Sequence, residues 1–494
     1  MTSRVTINRL ATGVPGLDAV LGGGLPEFSF NLIAGTPGSG KTTLAHQIMF
    51  ALASPERPAL YFTVLGEPPL KMLRYQQQCD FFDAAMVGTS IRFVNLSDIA
   101  ATGDLDAVLR RILAEVEAVN PSLVFVDSFR SVIQASDSSA SPPAQLQNFV
   151  QQLGVHMTSW QATTFLLGEY FDEAESNPVF TVADGLIWLR QSVERNSMVR
   201  KLEIKKMRGQ PTLPGLHTFR LSSQGVRVFA PAPGQTAVSP DAIVPLQRIS
   251  LGVEGIDEML GGGLPAGYSL LIAGPSGSGK TILANTFLAA GAALGETGVI
   301  ASFERPPSRS RSRVLPDLIH SGKVRMIDSS APDLSIDEIL LLLLEQIRET
   351  KATRVVLDSL SGLELALAPT FRDDYRESLA RLAGALSAEG VSVLMTTELE
   401  DRYTDLRFSP YGAAFMTDAI IVQRYIEVES RLRRMLAVVK VRGSAHSDEL
   451  REYTINESGL VLGAMLVGQE GLLGGRPTRM RGAAAPASGA SSGA

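Results

Sequence analysis

Two glycine-rich segments carry the residues most able to do chemistry: Gly35-Thr36-Pro37-Gly38-Ser39-Gly40-Lys41-Thr42-Thr43 and Gly274-Pro275-Ser276-Gly277-Ser278-Gly279-Lys280-Thr281-Ile282. Glycines at this spacing let backbone amides close around phosphate oxygens. The lysine reaches the β and γ phosphates and the following threonine offers a hydroxyl to Mg²⁺, roles that fall to Lys41 and Lys280, and to Thr42 and Thr281. A magnesium shell also needs a carboxylate, expected at the end of a later buried strand: Asp127 in LVFVDS and Asp358 in RVVLDS. Each could instead cap a helix. Their equivalent places in the two halves of the chain favour the metal.

Hydrolysis further requires a group that orients or deprotonates the attacking water, usually on the strand after the loop helix. Glu304, ending VIASFE, is well placed for that role. In the first half the run reads TVLGEPP, so the nearest carboxylate, Glu67, lies beyond Leu65 and Gly66. A shift of one residue turns a strand side chain to the other face, which leaves Glu67 either a displaced base or a solvent-facing turn residue. Two K-x-R-G runs follow late in each half, with Lys206 and Arg208 in one and Lys440 and Arg442 in the other. Strand alternation puts each pair of cations on one face, as a shared anionic target requires. A lone K-x-R is commonly a solvated strand edge, but its repetition beside the phosphate motifs points to that target.

The elements that must position these residues form a long repeat. RLATGVPGLDAVLGGGLPEFSFNLIAG from Arg9 matches RISLGVEGIDEMLGGGLPAGYSLLIAG from Arg248 without a gap, in the same register as the two loops. In the first half the apolar runs FNLIAG, ALYFTV, IRFVNL, LVFVD and TTFLLGEY alternate with helix-like stretches near 41–53, 104–119 and 142–160. SLLIAG, VIASFE, VRMIDSS, RVVLD and VSVLMTTE repeat the pattern. Such alternation predicts an α/β fold, a mostly parallel sheet flanked by helices, with a β-hairpin closing each copy. The expected layout is a first domain over 1–229, a Pro- and Ala-rich linker over 230–247, a second domain over 248–474 and a disordered tail over 475–494.

A chain of 494 residues with 45% hydrophobic content can bury two cores. The formal net charge of −6 gives no general attraction to nucleic acid or to an anionic membrane, so a nucleic-acid partner is not expected. Cys79, the single cysteine, cannot form an internal disulfide. With no apolar segment near the length of a membrane span and no leader-like N-terminus, a cytoplasmic protein is expected. The basic run SRSRSR at 308–313 reads as a solvated helix start rather than a phosphate site.

These residues together resemble the KaiC family of double-domain, RecA-like P-loop ATPases over residues 9 to about 480. The lead-ins GVPGLD and GVEGID, both loops, both VDS or LDS strands and both K-x-R-G hairpins carry the resemblance. It implies a homohexamer of stacked double rings with ATP and Mg²⁺ held between subunits, where the K-x-R cations reach the γ-phosphate on the neighbouring subunit. Ser444 and His446 match polar positions near that nucleotide. The family also implies a signalling or regulatory partner and, in its clock members, autophosphorylation of a Ser-Thr pair before a T-D-x-I-I strand. Here that strand is Thr417-Asp418-Ala419-Ile420-Ile421, and the pair is replaced by Ala414 and Phe415, leaving Thr417 as an acceptor or a core hydroxyl. Paired glutamates of the family become Leu65 and Gly66 in one half and Glu304 and Arg305 in the other, so the second half is expected to hydrolyse faster. Three outcomes stay open: an ATPase switch with serine/threonine kinase capacity, an ATP-assembled scaffold with little hydrolysis, and a DNA-acting ATPase.

Overall fold

The computed structural model describes residues 7–64, 69–102, 104–128, 142–170, 178–194, 197–230, 247–303, 314–327, 334–367, 375–399, 416–428, 430–456, 459–466, 469–470 and 478–479. The chain divides into two compact units, Met1–Pro231 and Ala232–Ala494. The first is built on nine strands: β1 (Phe30–Gly35), β2 (Ala59–Thr63), β3 (Ile91–Asn95), β4 (Leu123–Asp127), β5 (Thr163–Glu169), β6 (Gly185–Glu194), β7 (Ser197–Met207), β8 (His217–Ser222) and β9 (Gly225–Phe229). Their order across the sheet is β3-β2-β4-β5-β1-β6-β7-β8-β9. Strands β1 to β6 pair in parallel and the last three continue antiparallel.

The second unit repeats this order. Its strands are β10 (Ser269–Gly274), β11 (Gly298–Ser302), β12 (Val324–Ile327), β13 (Arg354–Asp358), β14 (Ser392–Glu398), β15 (Ala419–Val428), β16 (Arg431–Val441), β17 (Arg451–Asn456) and β18 (Gly459–Met465). They lie as β12-β11-β13-β14-β10-β15-β16-β17-β18. Both sheets therefore end in one hairpin more than the sequence reading supplied. These extra strands are no shorter than the central ones, but HTFRLS and REYTIN interleave polar residues and so lack the continuous apolar run that marks a central strand.

Burial on both faces explains the continuous apolar runs of the central strands. In the first unit Leu32, Leu60, Phe62, Val124, Val126 and Leu166 face one layer, packed against α2 (Leu105–Val119) and α3 (Pro142–Ser159). Ile33, Tyr61, Phe125, Phe165 and Leu167 face the other, against α1 (Lys41–Leu52). The second unit has the same two layers, with α4 (Lys280–Ala293) on one side and α5 (Ile336–Thr350) and α6 (Tyr375–Ala388) on the other. The lead-in motifs are structural: Asp18 accepts from the Thr12 amide and hydroxyl, and Asp257 from the Leu251 amide and the Ser250 hydroxyl. Each aspartate thereby closes the turn that delivers the chain to the first sheet strand.

One buried charge belongs to the second unit alone. Arg354, 1% exposed, donates to Glu296 Oε2 at 2.6 Å and to the carbonyls of Ser250 and Phe287 at 2.8 Å. Its counterpart in the LVFVD strand is Leu123. Truncating Arg354 takes this donor from the carbonyls of Ser250 and Phe287 and from the partly exposed Glu296 carboxylate, a cost of about 3 kcal/mol, so Arg354→Ala should destabilise the second unit alone. Both tryptophans, Trp160 and Trp188, lie in the first unit. In a denaturant titration the tryptophan transition should hold its midpoint while a circular-dichroism transition moves to lower denaturant.

Thr478–Arg479, inside the segment read as a tail, pairs antiparallel with Gln469–Glu470. No helix among the described residues is long and apolar enough to cross a membrane.

Candidate functional site

Each loop joins a fully buried strand to a helix. Strand β1 ends at Gly35 and α1 begins at Lys41; β10 ends at Gly274 and α4 begins at Lys280. The residues before the helices, Gly40 and Gly279, have φ of 99° and 101°, a region that penalises any side chain. A Cβ there would also press on Leu221 or Ile455. An α-helix has no intrahelical acceptors for the amides of its first turn, and at the end of such a loop that turn is the arrangement that receives anions.

Lys41 lies beneath its loop and donates to the carbonyls of Gly35 (3.0 Å) and Thr36 (2.9 Å). Lys280 does the same with Gly274 (2.7 Å) and Pro275 (2.9 Å). Burial lowers the Lys41 pKa, against the opposing charges of Glu169 and Asp127. Thr42 Oγ1 donates to Asp127 Oδ2 at 2.9 Å, which brings the two expected metal ligands of the first unit together. Burial raises the Asp127 pKa, resisted by hydrogen bonds from Tyr61 and Thr42 and by the charge of Lys41. In the second unit Asp358 ends β13 at the matching place and accepts from Thr396 Oγ1. In both copies the peptide after the aspartate is cis.

A hydroxyl and a carboxylate oxygen within hydrogen-bond distance beneath a phosphate cradle form a hard-oxygen set suited to Mg²⁺, which takes few protein ligands and shares phosphate oxygens. The donor chemistry of Thr42 and Asp127 fits the ion. Glu67 and Glu304, the two expected bases, lie outside the described residues, as do Leu65, Gly66, Arg305, Ala414, Phe415 and the SRSRSR run.

Sequence reading missed two carboxylates. Glu169 ends β5 opposite Gly35, and Glu398 ends β14 opposite Gly274. The signal was available, since TTFLLGE and SVLMTTE both close on a glutamate, but only the strand pairing sets that residue beside the phosphate loop. A cavity of about 600 Å³ adjoins Thr36 in the first unit, lined by Tyr170, Trp188, Arg190, Gln191 and Lys201.

The K-x-R cations stand elsewhere. Lys206 donates to the carbonyls of Phe180 and Thr181, and Arg208 pairs with Asp184 at 3.0 Å. Asp184 itself accepts from the amide of Phe30, at the start of β1. Lys440 donates to the Thr417 carbonyl (2.7 Å), Arg442 lies 3.6 Å from Asp418, and Asp418 accepts from the amide of Ser269, at the start of β10. Five residues at about 3.3 Å each separate these points from the loops, roughly 16 Å along the sheet. Within one unit the cations and the loop thus occupy opposite ends of the same strands. A β-bulge beside Leu186 and another beside Ile420 sit just before the K-x-R residues and re-aim them alike in both copies. Burial lowers the pKa of Lys206 and of Lys440, helped by the neighbouring arginine.

Ser444 and His446 share the cation end. Ser444 Oγ accepts from Arg248, His446 Nδ1 lies 3.0 Å from the Ser447 carbonyl, and the Ser447 amide donates to Met259 in the glycine-rich lead-in. Thr417 is fully buried.

A parallel sheet with a phosphate loop after its central strand and an aspartate two strands away defines the class: each unit is a RecA-like P-loop nucleotide-binding domain, present in tandem. The chain belongs to the KaiC family of ATPases, whose family model (ATPase: KaiC) matches residues 10–232 and again 249–465. Among curated relatives, the circadian clock oscillator protein KaiC of Picosynechococcus sp. is 27% identical over 489 residues, covering 96% of this chain and 93% of the relative. The protein of the same name from Rippkaea orientalis is 27% identical, with coverage of 96% and 92%. Circadian clock oscillator protein KaiC 1 of Synechocystis sp. is 26% identical, with coverage of 97% and 93%.

Proposed function

We propose that the chain is an ATP-hydrolysing conformational switch that works as a homohexameric ring, with each ATP bound by the loop of one subunit and the K-x-R cations of the next. The observation that carries this reading is the separation of those two groups to opposite ends of each sheet, in both units alike. A head-to-tail ring closes that gap by placing the cation end of one copy against the loop end of another.

In this reading the loop amides hold the phosphates, Lys41 or Lys280 turns from its own loop carbonyls to the β and γ oxygens, and Thr42 with Asp127, or Thr281 with Asp358, holds Mg²⁺. When bound, that ion neutralises charge developing on the phosphates. Lys206, Arg208, Lys440 and Arg442 stabilise the same charge from the neighbouring subunit, so turnover depends on assembly. Ser444 and His446 stand at the same interface. Glu304 orients the attacking water in the second unit and Glu67 in the first. In a chain whose first loop is silenced by Lys41→Ala, Glu304→Gln should cut the remaining phosphate release about a hundred-fold while leaving ATP-dependent assembly intact, as read by paired phosphate and sizing assays.

The relatives are named as clock oscillator proteins, and the shared tandem ATPase architecture supports a related role in which a partner protein reads the ring's nucleotide state. A serine/threonine autokinase is the second reading, favoured by kinship. The replacement of hydroxyl residues by Ala414 and Phe415 and the burial of Thr417 favour water as the phosphate acceptor. Light scattering of purified protein tests assembly: a particle of six chains with ATP and Mg²⁺ is expected. A monomer under all nucleotide conditions would overturn the ring.

A further inference from the structure

Asp127 and Asp358 end equivalent strands, yet the hydroxyl that steadies each comes from a different place. In the first unit Tyr61, fully buried on β2, donates its hydroxyl to Asp127 Oδ2 at 2.7 Å, the same oxygen that accepts from Thr42. The matching position on β11 is Ile300, which has no donor: Thr63 and Ser302 stand opposite the two aspartates, and Tyr61 and Ile300 precede them by two residues. In the second unit Thr396, fully buried on β14, donates to Asp358 Oδ1 at 2.5 Å. Its counterpart on β5 is Leu167, since both pair with the isoleucine two residues before the loop glycine. Each unit therefore has one hydroxyl and one aliphatic side chain, with the two positions exchanged.

A carboxylate this enclosed must be hydrogen-bonded, and a donor fixed by packing also sets which lone pairs remain for a ligand. The Tyr61 ring is clamped edge-on against His46 (centroids 4.6 Å apart) and stacked on Phe125 (5.9 Å), so its hydroxyl has one direction.

We infer that Tyr61 and Thr396 are positioning residues for the two metal-binding carboxylates, separate solutions to one requirement. The inference rests on the assignment of Asp127 and Asp358 as metal ligands. The test uses the full chain with its second loop silenced by Lys280→Ala and follows binding of a non-hydrolysable ATP analogue, adenylyl imidodiphosphate, as Mg²⁺ is titrated. Adding Tyr61→Phe should raise the Mg²⁺ needed for half-maximal binding on the order of ten-fold, with binding in EDTA unchanged. Adding Leu167→Thr to Tyr61→Phe, which copies the second unit's arrangement, should restore the original requirement. Thr396→Val in a chain silenced by Lys41→Ala should show the same shift in the second unit. An unchanged Mg²⁺ requirement in both hydroxyl variants would overturn the inference, as would equal weakening with and without Mg²⁺. If Mg²⁺ has no effect even on the parent chain, the metal assignment falls with it.

Discussion

Replacing both loop lysines in one chain, Lys41→Ala with Lys280→Ala, is expected to lower ATP hydrolysis at least about a hundred-fold, the loss that follows removal of a preorganised charge from a phosphoryl-transfer site. The fold should survive. Each lysine donates to two carbonyls of its own loop, and those carbonyls can turn to water. The check is phosphate release alongside far-ultraviolet circular dichroism. Turnover persisting in the folded double variant would remove the loops from the chemistry. The single variants apportion the activity between the units, and Lys280→Ala should cost more, because Glu304 ends the run VIASFE whereas in the first half Leu65 and Gly66 stand before Glu67.

The second large effect separates a site within one chain from a site shared between chains. A variant lacking the four cations, Lys206→Ala, Arg208→Ala, Lys440→Ala and Arg442→Ala, should lose roughly a thousand-fold in turnover, the scale of a charge supplied to a transferring phosphoryl group from a neighbour. Mixed with the Lys41→Ala, Lys280→Ala chain, it should regain activity. Loops from one variant would then meet cations from the other. Two inactive proteins that stay inactive after mixing and co-assembly would place the cations and the loop in one subunit, against the roughly 16 Å that the strand register sets between them.

Much of this architecture was legible in the sequence, because the signals were local or repeated. The buried strands announced themselves as apolar runs such as LVFVD and RVVLD, and both phosphate loops were complete within nine residues. What stayed hidden depended on pairing across the sheet. Glu169 and Glu398 become neighbours of the loops only through the β1–β5 and β10–β14 register. The K-x-R residues could be read as one-faced cations, but only the antiparallel return of β7 and β16 shows that they sit at the far end from the loop. Tyr61 and Thr396 gave no signal at all, since a tyrosine or threonine in an apolar strand reads as core until its hydroxyl meets an aspartate. Nothing in the run RVVLD marks Arg354 as buried; only the fold sets it against Glu296 and Phe287.

The central claim is that this chain spends ATP rather than only holding it. The most direct measurement incubates purified protein with γ-labelled ATP and Mg²⁺ and follows free phosphate and protein-bound label together. Steady release of labelled phosphate is expected, stopping with EDTA and absent from the Lys41→Ala, Lys280→Ala chain. Tight ATP binding and assembly with no phosphate released would contradict it and leave a nucleotide-assembled scaffold in its place.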